Sequence, residues 1–115
     1  MSIEADGQAL PLSPTDFHVL LVLASDDLYG YAIQKAIREE SGGTVRPEIG
    51  SLYRVLGRLV AHGMVDETDA PEGAPTTHRG RPRRYYRLTS LGLGALKADA
   101  QRMEGALQVA RARLG

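Results

Sequence analysis

Five arginines lie close together in a segment of nine residues, 79–87, that contains no acid. These are Arg79, Arg81, Arg83, Arg84 and Arg87. Acidic residues gather elsewhere, at 26–27, 39–40 and 66–72, so the 14 basic and 14 acidic residues cancel in sum but not in place. A concentrated basic segment has a local electrostatic footprint that suits the phosphates of a nucleic acid. The ordinary alternative for such a run is a solvated loop.

A second set of polar side chains comes from the stretch GSLYRVLGRLVAHG, residues 50–63. Its leucines and Val60 recur at helical spacing on one face, whereas Ser51, Arg54 and Arg58 fall on another. A helix that buries leucines and exposes arginines can lie in a DNA groove, or it can be an ordinary surface helix. Tyr53 also has two open interpretations, since its hydroxyl can donate to a phosphate or its ring can pack beside Val60.

The residue types of catalytic and metal sites are scattered in this sequence. His18, His62 and His78 lie far apart, and no paired carboxylates, phosphate-binding loop, nucleophile motif or metal-ligand cluster accompanies them. We therefore predict that the protein is not an enzyme and needs no cofactor or metal. Because the chain has no cysteine, no run of eighteen apolar residues and an acidic beginning, we expect a cytoplasmic protein without a membrane partner.

Three helices are predicted before the arginine segment. Residues 1–12 lack sustained periodicity and are expected to form a flexible arm. Ser13-Pro14 begins a helix whose apolar run, 17–24, is buried nearly all round. Asp26-Asp27 offers the N-cap of a second helix over about 28–41, which Gly42-Gly43 ends. Residues 44–46 can form only a single short strand, and a third helix covers about 48–62.

Two strands and a long loop follow the third helix. Residues 64–68 and 83–88 favour strands, and the proline- and glycine-containing residues 69–82 form the loop between them. In the second strand, Tyr86 and Leu88 are expected to face inward, with Tyr85 and Arg87 outward. The predicted fold is mainly α (α+β): a winged helix-turn-helix over 13–88, with three helices and a two- to three-stranded wing. The arginine run falls where such a fold presents its wing, which favours DNA over a solvated loop.

A long helix is predicted to end the chain, with Thr89 as its N-cap. Its apolar residues follow gaps of 3 and 4, the spacing of a heptad seam, at Leu93, Leu96, Ala100, Met103, Leu107, Ala110 and Leu114. Because glycines weaken this helix, we expect residues 89–115 to pair with a second copy; the alternative is folding back on their own domain. A homodimer would set two recognition helices about 34 Å apart, matching successive major grooves. Alanines in the seam could leave room for a ligand.

Three segments closely resemble the PadR family of bacterial transcriptional regulators: YGYAIQKAI (29–37), GSLYRVLGRLVAHGMV (50–65) and GRPRRYYRLTSLG (80–92). They occur in one register, and the similarity extends over about 17–92. The resemblance implies a winged helix-turn-helix, a homodimer formed through the C-terminal helix, and repression at palindromic operators that a ligand relieves. The single terminal helix is similar to the short subfamily that includes multidrug-responsive repressors.

The resemblance also implies roles for individual positions. Tyr31, Gln34 and Lys35 match the part of the second helix that faces DNA. Residues 50–53 match the start of the recognition helix, and residues 80–82 match the wing tip. The chain departs from the family at Glu48-Ile49, where a small residue and proline are common, and in its final helix, which has no tryptophan to stack flat drugs.

We therefore predict a sequence-specific DNA-binding transcriptional regulator: a ligand-responsive repressor that acts as a homodimer on a palindromic operator. The predicted DNA contacts are Tyr31, Gln34, Lys35, Ser51, Tyr53, Arg54, Arg58, Arg79, Arg81, Arg83 and Arg84. Ser51, Arg54 and Arg58 are expected to reach base edges or adjacent phosphates, and the wing arginines mainly phosphates. The alternative is a winged helix that binds a protein partner without DNA, which the zero net charge favours.

Overall fold

The computed structural model describes residues 4–5, 8–9 and 11–115. In chain order its elements are β1 (Glu4–Ala5), β2 (Gln8–Ala9), α1 (Pro14–Leu23), β3 (Leu28–Tyr29), α2 (Gly30–Glu40), α3 (Ile49–Ala61), β4 (Val65–Thr68), β5 (Thr77–His78), β6 (Arg81–Pro82), β7 (Tyr85–Leu88) and α4 (Ser90–Leu114). Four helices with small antiparallel sheets confirm the predicted α+β architecture.

The core lies where α1, α2 and α3 pack together. Helix α1 begins as predicted, because the Ser13 hydroxyl accepts a hydrogen bond from the Asp16 amide at 3.1 Å and Pro14 occupies the first turn. The apolar faces of the three helices meet at residues that are fully buried, among them Leu20, Ile33, Ile37, Leu52, Leu56 and Leu59. Burial of each of these apolar side chains stabilises the fold by about 2 kcal/mol, and this packing holds the amphipathic helices in place.

The main sheet has three antiparallel strands in the order β3-β7-β4. Its first strand corrects the predicted start of the second helix, because Leu28 pairs with Tyr86 and Tyr29 with Tyr85. Helix α2 therefore begins at Gly30, with Tyr29 in the N-cap position instead of Asp26-Asp27. Pairing with a strand that lies far along the chain outweighs the local capping signal.

Residues 44–46, predicted as a short strand, have no strand structure. The Ser41 hydroxyl accepts from the Val45 amide at 3.0 Å and donates to the Val45 carbonyl at 3.2 Å. Since a side chain satisfies this backbone locally, the segment turns instead of joining a sheet.

Residues 69–82, predicted as a loop, contain a hairpin in which β5 pairs with β6. Its two-residue turn is Arg79-Gly80, with φ of 52° and 78°, the left-handed pair that a tight hairpin turn requires. Beside the hairpin, Tyr85 is buried and not outward-facing as predicted, because its hydroxyl donates to the Pro75 carbonyl at 2.8 Å. The hairpin and strands β4 and β7 together form the wing.

Helix α4 starts in the core and extends beyond it. Thr89 caps it by accepting from the Gly92 amide at 3.0 Å, as predicted, and its own hydroxyl donates to the Gly63 carbonyl. Leu96, predicted for the dimer seam, is only 7% exposed because it packs in the core of its own domain. From residue 100 onward every residue except Ala110 is exposed, and the molecule measures 54 × 30 × 25 Å.

The segment predicted as a flexible arm, 1–12, contains the paired strands β1 and β2. Leu12 lies in the hydrophobic core, immediately before α1. Positions 1–3, 6–7 and 10 of the predicted arm lie outside the described residues.

Candidate nucleic-acid interface

Helix α3 presents a short polar edge at its beginning. The helix starts after Glu48, whose side chain makes no capping hydrogen bond. Within the first turn, Arg54 Nη2 donates to the Ser51 hydroxyl at 3.0 Å. Tyr53 and Arg54 are exposed, whereas the leucines of the opposite face are in the core. The predicted division of this helix into a buried and a polar face is therefore present in the structure.

Arg58, predicted to lie on the same reading edge, has a partner inside the protein. Its Nη2 donates to Asp16 Oδ1 at 2.6 Å, and the Asp16 side chain is 3% exposed. The pair joins α3 to the first turn of α1, where a negative charge also suits the helix dipole. The sequence contains one signal for this contact, because Asp16 is the one acid within the otherwise apolar first helix.

Three predicted residues on α2 have different surroundings. Gln34 Nε2 donates to the Pro47 carbonyl at 3.0 Å and so fastens the segment that connects α2 to α3. Lys35 is exposed and lies 3.9 Å from Glu39, a pair that contributes little because both side chains are solvated. Tyr31 is 45% exposed. Of the three, Tyr31 and Lys35 remain on the surface next to α3.

The wing hairpin rests on the beginning of α2 through aromatic contacts. The rings of Tyr31 and His78 are stacked, with centroids 5.0 Å apart and planes at 23°. The Arg83 guanidinium lies 3.9 Å from the centroid of the Tyr29 ring, and Arg83 Nε donates to the Thr77 carbonyl at 3.0 Å. The role of His78 was missed because residues that meet only across the fold carry no spacing signal.

Tyr53 lies over Gly30, at the beginning of α2. A Cβ atom at position 30 would collide with the Tyr53 hydroxyl, so only glycine permits this approach. Burial, reinforced by the neighbouring Tyr31, raises the pKa of the Tyr53 hydroxyl above its ordinary value. The group is therefore a neutral hydrogen-bond donor at physiological pH, and its ring is still 40% exposed.

The wing arginines fall into two groups. Arg79 and Arg81 are exposed at the hairpin turn, and no carboxylate of the described residues lies within 4.0 Å of either. Arg84 and Arg87 lie 3.6 Å from Glu67 and 3.8 Å from Asp66, so each is partly neutralised. The positive charge of the wing is thus concentrated at its tip.

One cleft contains wing arginines and two of the predicted tyrosines, whereas Ser51, Arg54 and Arg58 are not among its lining residues. Tyr31 from α2, Tyr53 from α3 and the tip arginines line the same space, although they lie up to fifty positions apart in the sequence. In the described part of the chain, no three histidine, cysteine, aspartate or glutamate side chains group as metal ligands would. The helices described here are also too short or too polar to cross a membrane.

Three helices followed by a wing of strands make this chain a winged helix-turn-helix protein, with α3 in the position of the recognition helix. Residues 19–98 match the transcriptional regulator PadR-like family, and the chain belongs to that family. Its members are transcriptional regulators, which confirms the predicted family and the prediction that the protein is not an enzyme.

Solved structures with the same fold support this assignment. A PadR family transcription regulator from Clostridium difficile R20291 is 26% identical, with a TM-score of 0.72 over 90% of this chain and 100% of that one. A transcriptional regulator from Clostridium thermocellum is 27% identical, with a TM-score of 0.67 over 84% and 86% of the two chains. Bacillus subtilis PadR, solved in complex with operator DNA, is similar in fold, with 23% identity and a TM-score of 0.58 over 72% and 44%.

A curated relative is an uncharacterized 37.1 kDa protein in transposon TN4556 of Streptomyces fradiae. It is 39% identical over 85 residues, which are 74% of this chain. The chain spans only 21% of that relative's length.

Proposed function

We propose that this protein binds duplex DNA sequence-specifically through the beginning of α3 and the tip of the wing. The observation that carries the proposal is the shared cleft, in which the exposed cations of the wing tip adjoin Tyr53 of the recognition helix and Tyr31 of α2. Bacillus subtilis PadR, which has the same fold, binds operator DNA. The proposal extends that property to this chain.

The side chains have separate roles in this proposal. Ser51 and Arg54 reach base edges in the major groove, where an arginine bidentate to guanine contributes about 1–3 kcal/mol of discrimination. The wing arginines and Lys35 contact phosphates, which position the protein without reading sequence. The arginines in this role are Arg79, Arg81, Arg83 and Arg84. Tyr31 and Tyr53 offer hydroxyl donors beside them.

Gln34 and Arg58 are predicted DNA contacts that also have partners within the protein. Each donates a hydrogen bond to a group inside the protein, at 3.0 Å and 2.6 Å respectively. We infer that they orient α3 relative to α2 and α1, and that their effect on DNA binding is indirect.

DNA binding is tested by selecting operator sequences from random DNA with the purified protein. We expect one palindromic sequence to be enriched, and its affinity to fall about 10³-fold between 50 and 200 mM salt if six or more phosphates are engaged. Replacing Arg81 and Arg83 with alanine is expected to weaken binding to all sequences alike. Arg87→Ala is the matched control, since this arginine faces Asp66 outside the cleft.

We also propose that the protein is a homodimer joined through α4. Four large apolar residues of the predicted seam are exposed in the single chain: Leu93, Met103, Leu107 and Leu114. They follow the heptad spacing along the part of the helix that extends beyond the core, where a second copy can cover them. A two-fold dimer matches a palindromic operator, at which binding would block transcription and a ligand would relieve it.

The dimer is tested by replacing Met103 and Leu107 with aspartate. In a dimer, each introduced aspartate would be buried against the same aspartate of the second copy. The free-energy cost of burying these charges would exceed the stabilisation that the seam provides, so we expect monomers in analytical ultracentrifugation. Gln101→Asp adds a charge on the opposite side of the same exposed helix and is expected to leave the dimer intact. An unchanged mass for the double variant would place the interface elsewhere.

A second candidate function is a protein-binding winged helix without direct DNA contact. The observation in its favour is a formal net charge of zero, together with the carboxylates that face Arg84 and Arg87. No enriched sequence and a flat salt dependence in the selection experiment would favour this function over DNA binding.

A further inference from the structure

The cleft between α2, α3 and the wing contains aromatic side chains that phosphate contacts alone do not require. Its volume is about 630 Å³, within the range of small-molecule sites. Three tyrosines, one histidine and four arginines line it together with Pro82, and none of the acidic residues in the described part of the chain does. Flat aromatic surface and positive charge therefore occur side by side in one concave site.

The aromatic wall of the cleft is held in place before any ligand arrives. His78 stacks on Tyr31, and Arg83 lies over the Tyr29 ring while its Nε is bonded to the Thr77 carbonyl. Tyr29 also packs against Tyr85, with ring centroids 5.7 Å apart. Side chains fixed in this way lose little entropy on binding, which favours ligand affinity.

The charged rim stands next to this wall. Arg79 and Arg81 are exposed, and the described residues place no carboxylate within 4.0 Å of either. Two free guanidinium groups suit a phosphate, which they can bind through paired hydrogen bonds. The site thus offers an anion subsite beside a stacking subsite.

Duplex DNA can fill only one of these subsites. Its phosphates can reach the rim, but its bases are stacked inside the duplex and present no free ring face to Tyr31. A ligand that carries both a phosphate and an unstacked ring would use the whole cleft, because aromatic side chains bind free bases by stacking.

We propose that the cleft binds a nucleoside phosphate, with the base stacked on an outer face of the Tyr31–His78 pair and the phosphates on Arg79 and Arg81. Because the same arginines are assigned to DNA phosphates, the nucleotide competes with DNA. Nucleotide binding itself is independent of the proposed function, whereas the competition rests on it.

The direct test is calorimetric titration of the full chain with guanosine 5′-diphosphate. Pyrophosphate supplies the anion without a ring, and guanosine supplies the ring without an anion. We expect the nucleotide to bind at least tenfold more tightly than either. Equal affinity for the nucleotide and pyrophosphate would overturn the proposal, because it would mean that no base is bound.

Variants separate the two subsites. Tyr31→Ala removes the stacking surface from a side chain that is 45% exposed, and is expected to weaken nucleotide binding about 5- to 100-fold while leaving pyrophosphate binding unchanged. Tyr31→Phe keeps the ring and is expected to bind like the wild type. Arg81→Ala is expected to weaken the binding of both the nucleotide and pyrophosphate. Arg87→Ala lies outside the cleft and is expected to weaken the binding of neither. A Tyr31→Ala protein with wild-type nucleotide affinity would also overturn the proposal.

Competition distinguishes this inference from the proposed function. If the nucleotide releases the selected operator from the wild type but not from Tyr31→Ala, both the nucleotide site and the DNA-binding function are supported. A protein that binds the nucleotide but enriches no DNA sequence retains the cleft site and loses the DNA function. A protein that binds operator DNA but not the nucleotide retains the DNA function, and the cleft then serves duplex phosphates only.

Discussion

The contact between Arg58 and Asp16 leads to a prediction that separates a reading residue from a positioning one. Arg58→Ala leaves the Asp16 carboxylate, 3% exposed, without the guanidinium that lies 2.6 Å away. Breaking a fully buried ion pair costs about 3–5 kcal/mol. The Arg58 side chain is 39% exposed, so water can reach the vacated space and we expect a smaller loss, about 2 kcal/mol.

The loss is measured by urea unfolding at one fixed protein concentration, because dimerisation links stability to concentration. In thermal unfolding it corresponds to a decrease in Tm of about 8 °C. Arg54→Ala is the control on the same helix: its side chain is exposed and bonds only to Ser51, so we expect a change within about 0.5 kcal/mol. A double-mutant cycle with Asp16→Asn is expected to give a coupling of about 1–2 kcal/mol between positions 16 and 58.

DNA binding gives the second readout, at a temperature where every variant is folded. Arg54→Ala is expected to relax the preference for one base pair of the selected operator. Arg58→Ala is expected to weaken binding to all DNA sequences alike, because it disturbs the placement of α3. An Arg58→Ala protein with wild-type stability and a relaxed preference at a single base pair would refute this reasoning and restore Arg58 as a base-reading residue.

Three further changes test other parts of the structure. Gly92→Ala would drive a methyl group into the Met64 carbonyl and cost about 3 kcal/mol in urea unfolding, whereas Gly94→Ala, with open space around it, is expected to be neutral or to stabilise α4 by up to about 1 kcal/mol. Burial, reinforced by nearby acidic charge, raises the pKa of the Tyr86 hydroxyl above its unfolded value of about 10, so the stability that its neutral form contributes is present below pH 10 and lost at higher pH. The free energy of unfolding should therefore fall less steeply between pH 8 and 11 in Tyr86→Phe than in the wild type; equal slopes would contradict this. Gly80→Ala, at φ 78° in the wing turn, is expected to cost about 1–2 kcal/mol, which corresponds to a decrease in Tm of about 4–8 °C, and to lower operator affinity.

Local signals in the sequence were sufficient for the bounds of α3 and for the caps of α1 and α4. The third helix was predicted over about 48–62 and extends over Ile49–Ala61, since its apolar period and the glycine after it act within a few residues. The caps at Ser13 and Thr89 were predicted correctly for the same reason. The family segments and the order of elements then sufficed to predict a winged helix-turn-helix.

Contacts between residues distant in the sequence decided the features that these local signals could not predict. Leu28 and Tyr29 became a strand because β7, more than fifty positions away, pairs with them. Leu96 follows the heptad spacing, but periodicity cannot distinguish packing on one's own domain from packing on a copy.

Arg58 shows the same limit at the candidate interface. Helical spacing correctly predicted its position on the helix, but its partner Asp16 lies 42 residues away. The amino-acid sequence by itself determined which residues form helices and where positive charge is concentrated. Only the tertiary structure decided which arginines are bound to internal carboxylates and which remain exposed at the wing tip, because a guanidinium bonds to whatever acceptor the fold brings within about 3 Å.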